Sequence, residues 1–272
     1  MNKKIGVTGA KGYIGRSLML QPNMVAIEGD ILDTKQIEME IESKRPDLIV
    51  HLAAITDTDE CERIANEMKV KATNVTATFD LANTCEKHGI GMVFLSTFQV
   101  FNGKKWVGQT YTEKDKPDPV NFYGLSKLTA EAYQTVYPGM KIVRAPYVFD
   151  WGRLAERIDV LQQRDAYYPT FLKRSFMHLN HFIDNLVYYI ENFESMPPIL
   201  HISTDDTVSW WQFMTCVSDA LMLEHVALPR SKEEGFLTPK PHKAGLNPTL
   251  SHSYNFPHYS FVDGIELLRV GL

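Results

Sequence analysis

Cysteine is scarce in this chain: only Cys61, Cys85 and Cys216 occur among 272 residues, widely spaced and with no C-x-x-C pair. That excludes a disulfide framework and a cysteine-built zinc site, and it suits a reducing, cytoplasmic setting. Positive charge is not in excess either. Lys and Arg number 28 against 33 Asp and Glu, a formal net charge of −5. No nucleic-acid partner is expected, because a phosphate backbone attracts clustered positive charge. No apolar run approaches the roughly 20 residues that span a bilayer, so no membrane partner is expected. The basic start reaches few apolar residues before Gly9 and Lys11 interrupt, unlike a signal peptide. What remains is an ordinary globular composition, 44% apolar and 22% charged, which excludes a disordered chain.

Short apolar runs alternate with amphipathic stretches, the pattern of alternating strands and helices. Strands are expected at Lys4–Thr8, Val25–Ile27, Leu48–Ala54, Met92–Ser96, Lys141–Arg144 and Ile199–Ile202. Helices are expected from the first loop to about Leu20, over Thr34–Ser43, over Asn74–His88 with Gly89 as stop, and over 121–136 and 182–193. The strands are continuously apolar, which fits a parallel sheet covered on both faces. The expected fold is therefore α/β, a Rossmann-type doubly wound parallel sheet. Past residue 150 prolines punctuate shorter elements. We expect a dinucleotide-binding domain over 1–150 and a smaller substrate lobe over 151–272, partly interleaved with the first.

Thr8-Gly9-Ala10-Lys11-Gly12-Tyr13-Ile14-Gly15 follows the first strand and opens a helix. Glycines there allow a tight turn and let the backbone approach a pyrophosphate. The next segment is short: fourteen residues separate Gly15 from Asp30, where a single parallel crossover needs about a dozen. Either Val25–Ile27 is the second strand, with Glu28 or Asp30 as the ribose-binding acid, or one strand–helix unit is missing. The phrase from Gly29 to Asp33, followed by a helix and then Pro46-Asp47-Leu48, favours the missing unit. Asp30 and Ile31 then flank the adenine, and no residue is the usual selector between NAD and NADP. Lys11 and Arg16 are candidates for a 2′-phosphate, and cofactor choice is expected to be loose.

Tyr123-Gly124-Leu125-Ser126-Lys127 places a phenol and an ammonium one helical turn apart. A lysine beside a tyrosine favours the phenolate, lowering a pKa that is ordinarily about 10. Ser96-Thr97 ends a buried strand, where open parallel sheets bind ligands. Thr97 can orient a substrate oxygen that also faces Tyr123, with Ser96 able to substitute in part.

With these residues in hand, the chain resembles the extended short-chain dehydrogenase/reductase superfamily. The likeness runs through the glycine loop, Asp30-Ile31, His51-Leu52-Ala53-Ala54, Asn74-Val75, Leu95-Ser96-Thr97 and Tyr123-x-x-x-Lys127. Within it, the stretch Phe94 to Gly103 and the run from Glu113 through Pro119, Asn121 and Lys127 to Glu131 are similar to the dTDP-4-dehydrorhamnose reductase group of nucleotide-sugar reductases. The resemblance implies Thr97, Tyr123 and Lys127 as the catalytic set. It implies a cofactor, NADP or NAD, held by Gly9, Gly12, Tyr13, Ile14, Gly15, Leu52, Ala53, Ala54, Asn74, Tyr123 and Lys127. A nucleotide-diphosphate sugar is the implied substrate. Related enzymes often pair through the helices near 74–88 and 121–136, so Val75, Phe79, Leu128 and Ala132 have two readings, apolar contacts of a homodimer or burial against their own sheet. Two features depart from the group: Phe98-Gln99 replaces its D-Y, and Lys240 stands where it usually has Arg. An epimerase or dehydratase on the same scaffold is the second reading. A non-catalytic regulatory subunit, like that of methionine adenosyltransferase, is the third.

Other residues invite chemistry with less pattern behind it. His178 and His181 lack a matching acidic ligand, and no metal site is expected. Trp210 and Trp211 read as packing at a helix start. Arg153, Arg157, Arg164, Lys173 and Arg174 form a set from which a diphosphate would draw partners.

Overall fold

In the computed structural model, which describes residues 3–106, 108–231 and 238–270, six short apolar segments lie side by side in one sheet. They are β1 (Ile5–Thr8), β2 (Met24–Ile27), β3 (Leu48–His51), β4 (Gly91–Thr97), β5 (Met140–Ala145) and β6 (Ile199–His201). Every pairing is parallel, and the order across the sheet is β6-β5-β4-β3-β1-β2. The principal helices are α1 (Tyr13–Leu18), α2 (Thr34–Lys44), α3 (Ala77–His88), α4 (Phe122–Glu131), α5 (Trp151–Gln163), α6 (Leu179–Glu191), α7 (Trp210–Ala220) and α8 (Phe261–Val270).

Continuous apolarity in the strands has a direct cause. Neighbouring residues of a strand point to opposite faces, and here both faces are covered. Val7, Val50, Val93 and Val143 pack with Leu18 of α1 and with Phe182, Leu186 and Tyr189 of α6. Ile49, Phe94 and Ile142 turn the other way, onto Ile37 and Ile41 of α2 and Leu81 and Cys85 of α3.

The compressed segment after Gly15 resolves cleanly. Val25–Ile27 lies within β2, which pairs with β1 at the sheet edge. The chain then returns through α2 to β3 on the far side of β1. The doubly wound order 3-2-1-4-5-6 has two strands outside the first; this sheet has one, so one strand–helix unit is indeed missing.

Local signals set several boundaries. Asp33 caps α2 by accepting from the Gln36 amide, and Gly89 stops α3 at φ +65°. Other boundaries shift. The strand expected through Ala54 ends at His51, whose ring is bound by Thr8 (2.7 Å) and Thr78 (3.0 Å). The helix expected from Asn74 begins earlier, at Glu67–Lys71, and passes through a π turn at Ala72–Thr76 before α3. That expected over 121–136 ends as α4 at Glu131 and continues as a 3₁₀ turn, Ala132–Thr135.

Past residue 150 the chain serves two cores. α5, α7 and α8 enclose Leu154, Ile158, Phe213, Ile265 and Leu268 around Phe149 and Phe176, while α6 and β6 return to the main sheet. Of the four residues with a homodimer reading, Phe79 stacks on Tyr133 at 4.9 Å, Val75 and Leu128 are half-buried and Ala132 is exposed. Among the described residues, no helix is long and apolar enough to cross a membrane.

Candidate active site

The carboxyl ends of the central strands open into a cleft of about 740 Å³, lined from the far side by residues of the second core. The glycine loop forms one wall, and its three glycines answer to different demands. Gly9 has φ +67°, and a Cβ there would lie 2.7 Å from the Ala53 nitrogen and 2.9 Å from the Leu52 carbonyl carbon. A Cβ on Gly15 would collide with the Gly9 oxygen. These two are glycine because the loop packs on itself. Gly12, at the start of α1, would meet only the Gly9 oxygen, at 3.1 Å, and otherwise faces open space. That leaves room for a group entering the cleft to approach the backbone.

Gly9, Gly12, Tyr13, Ile14, Gly15, Leu52, Ala54, Thr97, Tyr123 and Lys127 all line this one cleft. The remaining expected residues stand outside its lining. Ala53 lies behind, against Gly9. Asn74 is buried and fully engaged: its amide oxygen accepts from Ile55 N (2.8 Å), and its amide nitrogen donates to Ile55 O (2.9 Å) and Ser126 Oγ (3.0 Å). It fixes the chain after β3 to α4. The exposed Asp30 carboxylate accepts from Leu32 N (3.0 Å) at the turn into α2, and Ile31 packs on the α2 core. Lys11 pairs with Glu28 at 3.6 Å, and Arg16 is exposed. Glu28, immediately after β2, is therefore the acid at the second strand's tip.

α4 is held against the end of β4 with little slack. Asn121 caps it through Gly124 N (2.8 Å) and also donates to Gln99 Oε1 (2.9 Å) and Pro239 O (3.1 Å). A Cβ on Gly124 would strike the Gln99 carbonyl oxygen. This backbone contact brings Tyr123 to Thr97. Thr97 Oγ1 accepts from Gln99 N (3.3 Å), and its hydroxyl lies close enough to the Tyr123 phenol to favour the phenolate.

The electrostatics correct one expectation. Burial raises the Tyr123 pKa to about 12, helped by Cys61, while Arg153 and the Thr97 hydroxyl oppose the rise. Lysine does not dominate this balance. Lys127 is buried with Nζ 3.9 Å from the Phe94 ring centroid, and burial lowers its own pKa to about 7 against the pull of Glu131. Ser96 also lines the cleft, with its hydroxyl donated to Glu131, itself in a buried ion pair with Arg144 at 2.7 Å.

In the same cleft as Thr97, Tyr123 and Lys127, cations gather. Arg153 lies 4.5 Å from the Tyr13 ring and Arg157 4.8 Å from the Trp210 ring. Arg174 is 6% exposed, sits between Phe98 (5.2 Å) and Trp210 (5.8 Å), and has Nε and Nη2 buried without a hydrogen-bond partner among the described residues. A buried donor without a partner is costly, so this guanidinium is suited to an anion. Arg230 and Lys240 also line the cleft, whereas Arg164 and Lys173 do not. Lys240 bonds Thr58 and lies 3.3 Å from Asp59.

Arg230 and the stretch Thr56–Asp59 were not anticipated: neither carries a motif, and both reach the cleft through tertiary packing. Trp210 packs against Tyr147 and Phe176, as expected, and also faces the cleft. His178 accepts from Asn180 N (3.2 Å), and His181 stacks on Tyr259 at 3.8 Å.

The family described as RmlD substrate binding domain matches residues 3–261. The spore coat polysaccharide biosynthesis protein SpsK of Bacillus subtilis is 29% identical over 259 residues, 88% of this chain and 87% of that one. A dTDP-4-dehydrorhamnose reductase of Mycobacterium tuberculosis is 29% identical over 176 residues, 61% of this chain and just 57% of that protein. Among solved structures, dTDP-4-dehydrorhamnose reductase from Bacillus anthracis in complex with NADP has a TM-score of 0.90 over 100% of both chains at 22% identity, a likeness of fold.

Proposed function

This chain belongs to the RmlD substrate binding domain family, and on that footing we propose that it is an NAD(P)H-dependent reductase of a 4-keto-6-deoxy nucleotide sugar. The observation that carries the reading is that Thr97, Tyr123 and Lys127, one turn beyond Tyr123, line the same cleft as the glycine loop.

The residues fit a dinucleotide. Gly9 and Gly15 keep the loop tight, and Gly12 leaves open the space a pyrophosphate would take. A dinucleotide held there in reduced form would supply the hydride for the carbonyl carbon. Tyr123 donates its phenolic proton to the carbonyl oxygen as the alcohol forms. A pKa near 12 suits this direction, because the phenol still holds its proton at neutral pH. Thr97, its oxygen already accepting from Gln99 N, directs its hydroxyl hydrogen toward Tyr123 or a carbonyl at the same place. Lys127 would hold the nicotinamide ribose. The unpartnered nitrogens of Arg174, with Arg153 and Arg157 nearby in the lining, suit the substrate's diphosphate. In the same reading, residues 1–150 are the cofactor domain and the second core supplies the substrate side.

Phe98 and Gln99 disfavour a dehydratase, since they offer no acid beside the strand-end hydroxyl. The intact Thr97, Tyr123 and Lys127 disfavour a purely regulatory role. Oxidation of NADPH with a panel of 4-keto-6-deoxy nucleotide sugars tests the proposal. Turnover with at least one is expected; cofactor binding without turnover on any would contradict it and favour the regulatory reading.

A further inference from the structure

Outside the cleft, one cluster of side chains has the donor set of a metal centre. Asp205, His252 and His258 each bring a ligand atom to within 4.8 Å of the others. His252 Nε2 lies 3.1 Å from Asp205 Oδ1, and the two imidazole centroids are 3.6 Å apart. None of the three lines the cleft.

Separate pieces of the fold build this convergence. Asp205 follows the end of β6. His252 lies in the short helix Thr249–Ser253, and His258 lies in the segment leading to α8. The chain between the histidines is folded back by backbone hydrogen bonds from Tyr254 N to Ser251 O and from Asn255 N to His252 O, both 3.0 Å. Asn255 takes the left-handed conformation the reversal needs, at φ +61°. Phe256, which lies between the two histidines in sequence, is buried in the main core and anchors the loop there. On the other side, the Asp206 carboxylate accepts from Phe261 N (3.2 Å), holding the Asp205 loop against the start of α8.

We propose that Asp205, His252 and His258 form a binding site for a divalent transition-metal ion of the zinc and cobalt class. Two imidazole nitrogens with one carboxylate oxygen suit such ions, whereas magnesium and calcium prefer oxygen throughout. The ion ties the loop after β6 to the segment before α8. The other convergent group, Glu38, Glu42 and His88, is a weaker candidate because Lys87 already occupies Glu38. The site was not visible in the sequence, because Asp205 lies far before His252 and His258 in the chain.

The test titrates the untagged full chain with Co²⁺ alone, followed by visible absorption, with Zn²⁺ alone added to displace it. One saturable ion per chain is expected at micromolar concentrations. His252→Ala and His258→Ala should each weaken binding about tenfold or more, the loss that even an outer partner of a ligand can cause. Far-UV circular dichroism of each variant should match that of the parent chain, and His88→Ala should leave Co²⁺ affinity unchanged. Absence of saturable Co²⁺ binding would overturn the proposal. So would equal affinity in the His252→Ala/His258→Ala double variant, or binding that is lost with His88→Ala.

Discussion

Tyr123 and Lys127 share one helix turn, yet burial moves them in opposite directions: the neutral phenol is favoured up to about 12, and the neutral amine down to about 7. Near neutrality the tyrosine is fully protonated while the lysine is close to half charged. The sign of the pH dependence follows. Below about 7 Lys127 carries its charge and can hold cofactor hydroxyls; above it, the free protein loses that charge. Because kcat/KM reports groups of the free enzyme, kcat/KM for the cofactor should fall as pH rises through about 7. Lys127→Arg keeps the charge at every pH and should remove this limb, even if its overall rate is lower. A wild-type profile flat across that region would contradict the assignment.

At the level of elements, what the sequence revealed was what local chemistry decides. The Asp33 cap, the Gly89 stop and the strands covered on both faces needed only near neighbours in the chain. Where tertiary contact decides, the sequence was silent. β3 ends at His51, whose ring Thr8 and Thr78 hold, short of the Ala54 expected. The tip of β2 is an intermediate case. Its position next to β1 identifies Glu28 as the acid that could bond a ribose 2′-hydroxyl, yet Lys11, 3.6 Å away, could equally meet a 2′-phosphate. Both side chains are largely exposed. The kcat/KM values for NADH and NADPH should therefore lie within roughly a thousandfold, about 4 kcal/mol. Glu28→Ala should shift preference toward NADPH. A wild-type ratio beyond that range, or one indifferent to Glu28→Ala, would mean that selection is made elsewhere.

The whole molecule decides which of the cations named from the sequence serve the site: Arg153, Arg157 and Arg174 line the cleft, Arg164 and Lys173 do not. A net charge of −5 conceals a cleft lined by Arg153, Arg157, Arg174, Arg230 and Lys240. The glycine loop, Thr97, Tyr123 and Lys127 carry spacing that a sequence displays. Arg174 carries none: its meaning lies in two buried nitrogens without a hydrogen-bond partner among the described residues, between Phe98 and Trp210. Joining the two halves makes the central claim, proton donation by Tyr123 to a keto sugar whose diphosphate rests among these cations. The most direct measurement compares steady-state turnover and NADPH affinity of the wild type and Tyr123→Phe on the active keto sugar. Removal of one hydroxyl leaves the ring to pack, so fold and cofactor affinity should persist while turnover falls by roughly 10² to 10⁴, the range for a positioned acid. Turnover surviving in Tyr123→Phe to within about threefold, far short of that range, would contradict the account.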